Sequence, residues 1–463
     1  MTAEQIVGLS IYASGALIFS VAAVLALGAA MEAEGRLRRL MVPALYALIL
    51  LYNCIAPILS GRDLYALGQF ASPSGASKWV LRLVLLALLT ICVARLSAAA
   101  FCRENRGAGG GGLLVAFGLF FLTNTVLSSA LGTHPEFRHE HYYVLFLFAA
   151  VYASRTQDPE TSIRFAKVGL LIFLAASCAV SVVAPELTIE RDYHSWIPGV
   201  NIRFWGLESH ANSMAPVALV YLLLSIHQPF ERRWLQRLGL LIAVAVLALA
   251  QSKTTWAAAA ITVPLLYMLR SGTWGLAGFS VFALGILGAC ALLVLPALGV
   301  SVEEFLESRE GHEAATLTGR DLLWALAVQE WKHNPLFGYG PTMWNDAYRM
   351  QIGLDHAVSA HNQFLQSLSV SGAMGLIGLL VYLGALLLYA INARRGSRGL
   401  SVALLIVVLV RCVTETPLAL GGGFLSGAFV TQLLLFHIAL AHGHSVVRVA
   451  RPATSLITAW RAS

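Results

Sequence analysis

Five short polar constellations interrupt an otherwise apolar chain, and each offers a piece of chemistry. The first, Arg203-Phe204-Trp205-Gly206-Leu207-Glu208-Ser209-His210-Ala211-Asn212, leads into an apolar run. Arg203 carries a permanent charge on a planar donor fork suited to phosphate oxygens, although Arg and Trp beside a membrane helix also serve simply to anchor its depth. The second, Gln251-Ser252-Lys253-Thr254, sets a lysine in a turn between two apolar runs, where it needs a partner, water or a snorkelling route to the interface. The third is Gly319-Arg320 at an expected helix start. Helix-terminal N–H groups together with a guanidinium make an anion site; the alternative is an exposed loop arginine. The fourth is His361-Asn362-Gln363, followed by Gly372 and Gly375 in the next apolar run. His361 is a candidate general base, against the simpler reading of an interfacial histidine, and the glycines would let helices approach closely. The fifth is Arg411 with Glu415, four residues apart in one run, which would neutralise each other across one helical turn or leave Glu415 facing an outer cavity.

The elements that must position these groups are membrane helices. The 463 residues are 58% hydrophobic and 12% charged, with a mean hydropathy of +0.73; soluble domains carry about 25% charged residues. Continuous apolar runs near the ~20 residues that span a bilayer occur at about 5–30, 40–60, 79–99, 112–131, 142–154, 163–185, 212–228, 237–250, 254–270, 274–298, 363–391, 399–417 and 424–442. A chain in hydrocarbon satisfies its own backbone as helices or a closed barrel, and runs this long are helical. The expected fold is an all-α polytopic bundle of about twelve or thirteen helices with a large outer loop containing amphipathic helices. It divides into N-terminal helices (1–200), central helices with an outer-face motif (201–298), a large loop (299–362) and C-terminal helices (363–463). With no basic segment ahead of it, the first run reads as a retained helix rather than a signal peptide. The six cysteines mostly lie inside apolar runs without paired or metal-type spacing, as small buried hydrophobes do.

Charge sets the sidedness. Alternate connections collect Arg36, Arg38, Arg39; Arg95, Arg103, Arg106; Arg155, Arg164, Lys167; Arg232, Arg233, Arg237; Arg270; Arg394, Arg395, Arg398; and Arg448, Arg451, Arg461 in the tail. By the positive-inside rule that side is cytoplasmic, which accounts for the net charge of +7 without nucleic acid. The opposite connections include 186–211 and 299–362, long loops of the kind where binding concentrates. Within the second, Thr318 and Asp321 open an amphipathic helix with Leu322, Leu323, Leu326 and Trp331 on its apolar face, ended by Asn334-Pro335 and the turn Gly338-Tyr339-Gly340-Pro341. The topology brings Arg203, Lys253, Arg320 and His361 from four segments to one outer face. Several cations around one base suit a membrane-embedded polyanion whose reaction partner is a hydroxyl, such as a lipid-linked pyrophosphate sugar. A transporter is the reading of another class, but it would place its polar groups near the midplane and show repeats.

The residues that carry these features also resemble the O-antigen ligase superfamily, which includes O-antigen and exopolysaccharide polymerases. The matching pieces are Arg203-x-x-Gly206-x-x-x-His210-x-Asn212, Ser252-Lys253-Thr254, Leu317-Thr318-Gly319-Arg320 with Trp324, Pro335-Leu336-Phe337-Gly338-Tyr339-Gly340, and His361-Asn362 with Gly372-x-x-Gly375. The last has the spacing of the ligases; the second and third look more like the polymerases. Ala211 stands where many relatives have Pro or Lys. The resemblance implies an inverting, metal-independent and cofactor-free glycosyltransferase of the bacterial inner membrane. It would work at the periplasmic face, moving a glycan from an undecaprenyl-pyrophosphate carrier to a glycan acceptor as a polymerase, or to lipid A-core as a ligase. Polymerisation also leaves room for a chain-length regulator as a partner. By position, Arg203 and Arg320 would hold the pyrophosphate and His361 would activate the acceptor hydroxyl, with Lys253, His210, Asn212, Asn362 and Glu415 as substrate-binding residues.

Overall fold

A computed structural model describes residues 36–65, 75–101, 109–137, 139–193, 197, 199–271, 320–354, 357–420 and 426–443. The expected runs at 5–30 and 274–298, the Leu317-Thr318-Gly319 motif, Cys102, Cys290, Arg103, Arg106 and the basic tail lie outside these residues. Every other expected run is a helix, within a few residues of its predicted ends: α1 Arg36–Leu59, α2 Gly75–Phe101, α3 Gly111–Phe121, α4 Ser128–Leu131, α5 Tyr143–Ala153, α6 Pro159–Val183, α7 Ala211–His227, α8 Arg233–Leu249, α9 Lys253–Ser271, α12 Gln363–Asn392, α13 Leu400–Thr414 and α14 Gly427–Gly443. Between α9 and α12 lie α10 Arg320–His333 and α11 Asp346–Ile352. The all-α expectation holds, with five of the described helices long and apolar enough to cross a membrane.

The bundle core is aromatic where α3, α5, α12 and α14 meet. Phe117 stacks on Phe148 at 3.8 Å and Phe120 on Tyr382 at 5.3 Å between ring centroids. Among the described residues, the two sets of connections gather at opposite ends. At one end Arg95 donates to Ser154 Oγ (2.9 Å) and Arg155 to the Gly109 carbonyl (3.0 Å). Lys167 reaches the Gln228 carbonyl there, and Arg270 that of Ile226. The Lys and Arg of the charge-rich connections therefore find carbonyl and hydroxyl partners on neighbouring segments, as charged groups near hydrocarbon must. The opposite end carries Arg62, Arg203, Arg320 and His361.

Three departures from the sequence reading shape that second end. The segment 186–211 is not plain loop: β1 Ile189–Arg191 pairs antiparallel with β2 Ile202–Phe204, setting Arg203 opposite Glu190. In α10 the buried positions are Leu323 and Ala327, whereas Leu322 is exposed, so the apolar face is rotated from the predicted one. Most consequential is Gly372, whose expected role was close helix packing. Its φ of 65° and ψ of −164° break α12 in its third turn, a conformation essentially reserved for glycine. The strand-like turn 336–340 docks into the break: Tyr339 N donates to Ser369 O (2.8 Å), Gly340 N to Val370 O (3.0 Å) and Ala373 N to Pro335 O (2.8 Å). Opposite the break, Leu122–Leu127 is a π-helical segment joining α3 to α4. Its Asn124 donates to Gly375 O (2.7 Å) and receives Ser371 Oγ on its own carbonyl (2.9 Å). Two irregular helices thus satisfy each other's freed backbone groups, which is how breaks survive in such bundles.

A Cβ at Gly372 would sit 2.3 Å from the Leu336 carbonyl, and the backbone there also forbids a side chain. Gly372→Ala should cost about 2 kcal/mol or more, visible as a lower thermal unfolding midpoint in detergent. Gly384→Ala, in α12 with nothing within 4 Å, should leave the midpoint unchanged or slightly raised.

Candidate active site

The site grows from the C-terminal end of α13. A helix end leaves carbonyls without intrahelical partners and a partial negative charge, and two of these carbonyls recruit donors from distant segments. Val413 O accepts from Asn362 Nδ2 (3.1 Å), and Thr414 O accepts from Arg320 Nη1. Asn362 also caps α12, its Oδ1 accepting from Phe364 N and Leu365 N at 3.0 Å each. The loop re-entering the bundle is thereby fixed against the end of α13.

Glu415 follows directly in extended backbone, φ −148° and ψ −179°. The expected Arg411–Glu415 pairing across a helical turn is replaced: the carboxylate leaves the helix and Arg411 donates to the Asn212 carbonyl at 3.4 Å, while its charge still acts on Glu415. Glu415 Oε1 accepts from Asn212 Nδ2 (2.9 Å) and Arg320 Nη2 (3.1 Å), and Oε2 meets His361 Nδ1 at 2.9 Å. Asn212 passes the connection on, since its Oδ1 accepts from Arg203 Nη2 at 2.7 Å. Arg203 further donates from Nε to the Ala250 carbonyl (3.2 Å), with its guanidinium 4.7 Å from the Tyr193 ring centroid. One carboxylate therefore joins Arg320 and His361 directly, and Arg203 through one amide.

Burial alone would raise the Glu415 carboxyl, but the His361 hydrogen bond and the charges of His361, Arg320 and Arg411 outweigh it and hold the group at about 2. An ionised carboxylate only accepts, so His361 Nδ1 carries the proton and Nε2 keeps its lone pair in the neutral ring. His361 Nε2 makes no hydrogen bond among the described residues. The backbone at His361 has φ 45°, a left-handed conformation uncommon for a residue with a side chain and one found where surrounding contacts over-determine it. With Arg203, Arg320 and Arg411 about a single carboxylate, the site keeps a surplus of positive charge.

The remaining predicted residues have structural duties beside this network. His210 caps α7, its Nδ1 accepting from Asn212 N (3.0 Å), and its ring lies 4.5 Å from Trp205. Burial and the neighbouring Arg203 push its imidazole down to about 3, so it is neutral at physiological pH. Lys253 is exposed at the start of α9, in a turn tethered to β2 by Gln251 Nε2 on Ile202 O at 2.8 Å.

Sequence reasoning passed over Arg62 and Glu208. Arg62 donates to the carbonyls of Leu187, Gly206 and Glu208, clamping the hairpin that carries Arg203 to the start of α7. Glu208, 1% exposed, accepts from Gly427 N at 2.8 Å, and burial pushes its carboxyl up to about 7. A signal did exist for Arg62: it is a lone arginine at the cation-poor end of α1, where the positive-inside pattern leaves a charge without an electrostatic reason.

Residues 238–383 match the family model described as O-Antigen ligase. That stretch holds Lys253, Arg320, His361 and Asn362; Arg203 and Glu415 lie on either side of it. No curated protein matches. Over those residues the chain is similar to the O-antigen ligase family.

Glu415 also makes stability depend on pH. Its folded-state value lies below the ordinary 4.5, so its contribution is fully present above pH 4.5 and is lost as pH falls toward about 2. Thermal unfolding in detergent should show a midpoint dropping as pH falls from about 4.5 toward about 2 in the parent protein. Glu415→Gln should lower the midpoint at pH 7 and flatten this dependence.

Proposed function

We propose, from the premise of that O-antigen ligase segment, that the chain transfers a glycan from an undecaprenyl-pyrophosphate carrier to an acceptor hydroxyl. The transfer would take place at the periplasmic face of the bacterial inner membrane. The observation that carries this reading is the shared carboxylate of Glu415. It gives His361 a fixed tautomer and holds Arg320 and, through Asn212, Arg203 around the same point. The orientation rests on the cation-rich connections at the other end of the bundle, which face the cytoplasm under the positive-inside rule.

His361 Nε2 takes the proton of the acceptor hydroxyl while Nδ1–H stays on Glu415, the division of labour of an oriented imidazole base. The acceptor oxygen forms its bond to the anomeric carbon from the face opposite the pyrophosphate. The carbon–oxygen bond to the pyrophosphate breaks with its electron pair, and the configuration inverts. Arg203 and Arg320 keep N–H donors beyond those used in the network and face the charge that grows on the departing lipid pyrophosphate. They stabilise the transition state more than the bound substrate. The carrier's own phosphate ester supplies the driving force, and none of these roles requires a metal or a cofactor.

The Ser252-Lys253-Thr254 and Thr318-Gly319-Arg320 motifs favour a polymerase, whose acceptor is a second lipid-linked glycan. The His361-to-Gly372 spacing favours a ligase, whose acceptor is lipid A-core. The protein reconstituted with purified undecaprenyl-pyrophosphate oligosaccharide decides between them: longer lipid-linked products mark a polymerase, and modified lipid A-core marks a ligase. With either acceptor, Arg203→Ala, Arg320→Ala and His361→Ala should each reduce transfer by about a hundred- to a thousand-fold at unchanged membrane insertion. Near-normal product from all three variants would rule the assignment out.

A further inference from the structure

A cavity of about 370 Å³ is bordered by the segments that carry His361 and Glu415 and has neither Arg203 nor Arg320 in its lining, and it lies within the size range of ligand pockets. Its wall takes in Ser359 and Gln363, two residues to either side of His361, and Thr416 next to Glu415. The far wall is the π-helical segment at Asn124 and the turn at Trp344. No Lys or Arg is among the described residues of the lining, and Asp346 at its edge is exposed and paired with Arg349. The lining is therefore polar, with the buried His141 as its basic side chain and no permanent cation among the described residues, which makes it a poor host for pyrophosphate and a good one for neutral hydroxyls.

Its donors are arranged and unspent. Gln363, 1% exposed, accepts on Oε1 from Leu418 N at 2.8 Å, and Gln366 accepts on Oε1 from Ala360 N at 2.9 Å. With each side-chain carbonyl committed to a backbone N–H, each Nε2 sits on the opposite branch of its amide, where it donates to nothing among the described residues. Trp344, 5% exposed with a backbone φ of 71°, likewise has an indole N–H with no acceptor. The two amide donors open onto the cavity and the Trp344 N–H is buried beside it without a partner, a set that suits a ligand rich in acceptor oxygens.

We infer that this cavity binds the terminal sugar of the acceptor glycan, with Gln363, Gln366 and Trp344 donating to its oxygens, and so presents one hydroxyl to His361 Nε2. The inference rests on the transfer reaction above and divides its site in two. The lipid pyrophosphate lies on the arginine side of the His361–Glu415 pair and the neutral acceptor ring on the glutamine side.

Gln366→Glu tests this, because it keeps the oxygen that accepts from Ala360 N and replaces only the free donor; Gln366→Met removes the donor without adding charge. Steady-state transfer is measured with reconstituted protein and undecaprenyl-pyrophosphate oligosaccharide as donor. The acceptors titrated are the oligosaccharide released from that lipid by mild acid and, in parallel, lipid A-core. Both variants should raise the acceptor KM about tenfold, the scale of one lost hydrogen bond to a bound ligand, with donor KM and kcat within about twofold of the parent. An unchanged acceptor KM in either variant that folds would overturn the inference while leaving the transferase reading intact. A rise in donor KM in place of acceptor KM would assign the cavity to the donor and overturn it equally. If the parent protein transfers to neither acceptor, the functional reading falls first and this inference with it.

Discussion

A carboxylate at the mouth of a helical bundle is tolerable only if its surroundings supply charge and donors, and Glu415 draws its support from three separate parts of the chain. The partners lie 54, 95 and 203 residues away in sequence. Its side chain is 13% exposed, so little water is available to take over if a partner is lost. Removing one side of such a buried pair typically costs about 3–5 kcal/mol. The same demand that stabilises this end of the bundle holds an imidazole and two guanidiniums at fixed positions before any substrate arrives. Preorganisation of this kind is what electrostatic catalysis needs, because no reorganisation remains to be done when charge develops.

The supporting elements are irregular for a related reason. Arg203 is held on a short strand pair, Arg320 at the first residue of a loop helix, and His361 in left-handed backbone just before a cap. None of these positions lies inside a regular span, where a charged group would face hydrocarbon. Regular helices supply the frame, and the break at Gly372, the π-helical turn at Asn124 and the Arg62 clamp bend the frame so that loop segments can reach the site. Each irregularity satisfies its own backbone: Pro335 O and Leu336 O take the N–H groups of Ala373 and Met374, and Gly375 O takes the Asn124 amide. The candidate site lies at one end, and at the opposite end Lys and Arg side chains bind carbonyls and a hydroxyl of neighbouring segments.

The two flanks of the His361–Glu415 pair differ in chemistry as the two substrates of a transfer reaction would. One flank is cationic through Arg203, Arg320 and Arg411; the other offers neutral amides, hydroxyls and an indole. A leaving pyrophosphate and an incoming hydroxyl need different solvents at the same instant.

Hydropathy and Lys/Arg distribution by themselves determined the all-α membrane class, the place of each long apolar helix described and the gathering of Arg203, Arg320 and His361 at one end. These properties are local: a run of apolar residues must be a helix in lipid, and alternate connections must fall on alternate ends. The tertiary structure alone decided that Glu415 serves the site instead of Arg411, that Gly372 breaks a helix instead of packing two, and that Arg62 and Glu208 brace the hairpin. The i,i+4 spacing of Arg411 and Glu415 predicts a pair only if the helix continues through residue 415. The helix stops one residue earlier, just ahead of Thr416-Pro417, where proline disfavours the α conformation of the residue before it. Which groups then satisfy the carbonyls of its last turn is not encoded within residues 400–417, since Asn362 and Arg320 belong to segments the fold brings there.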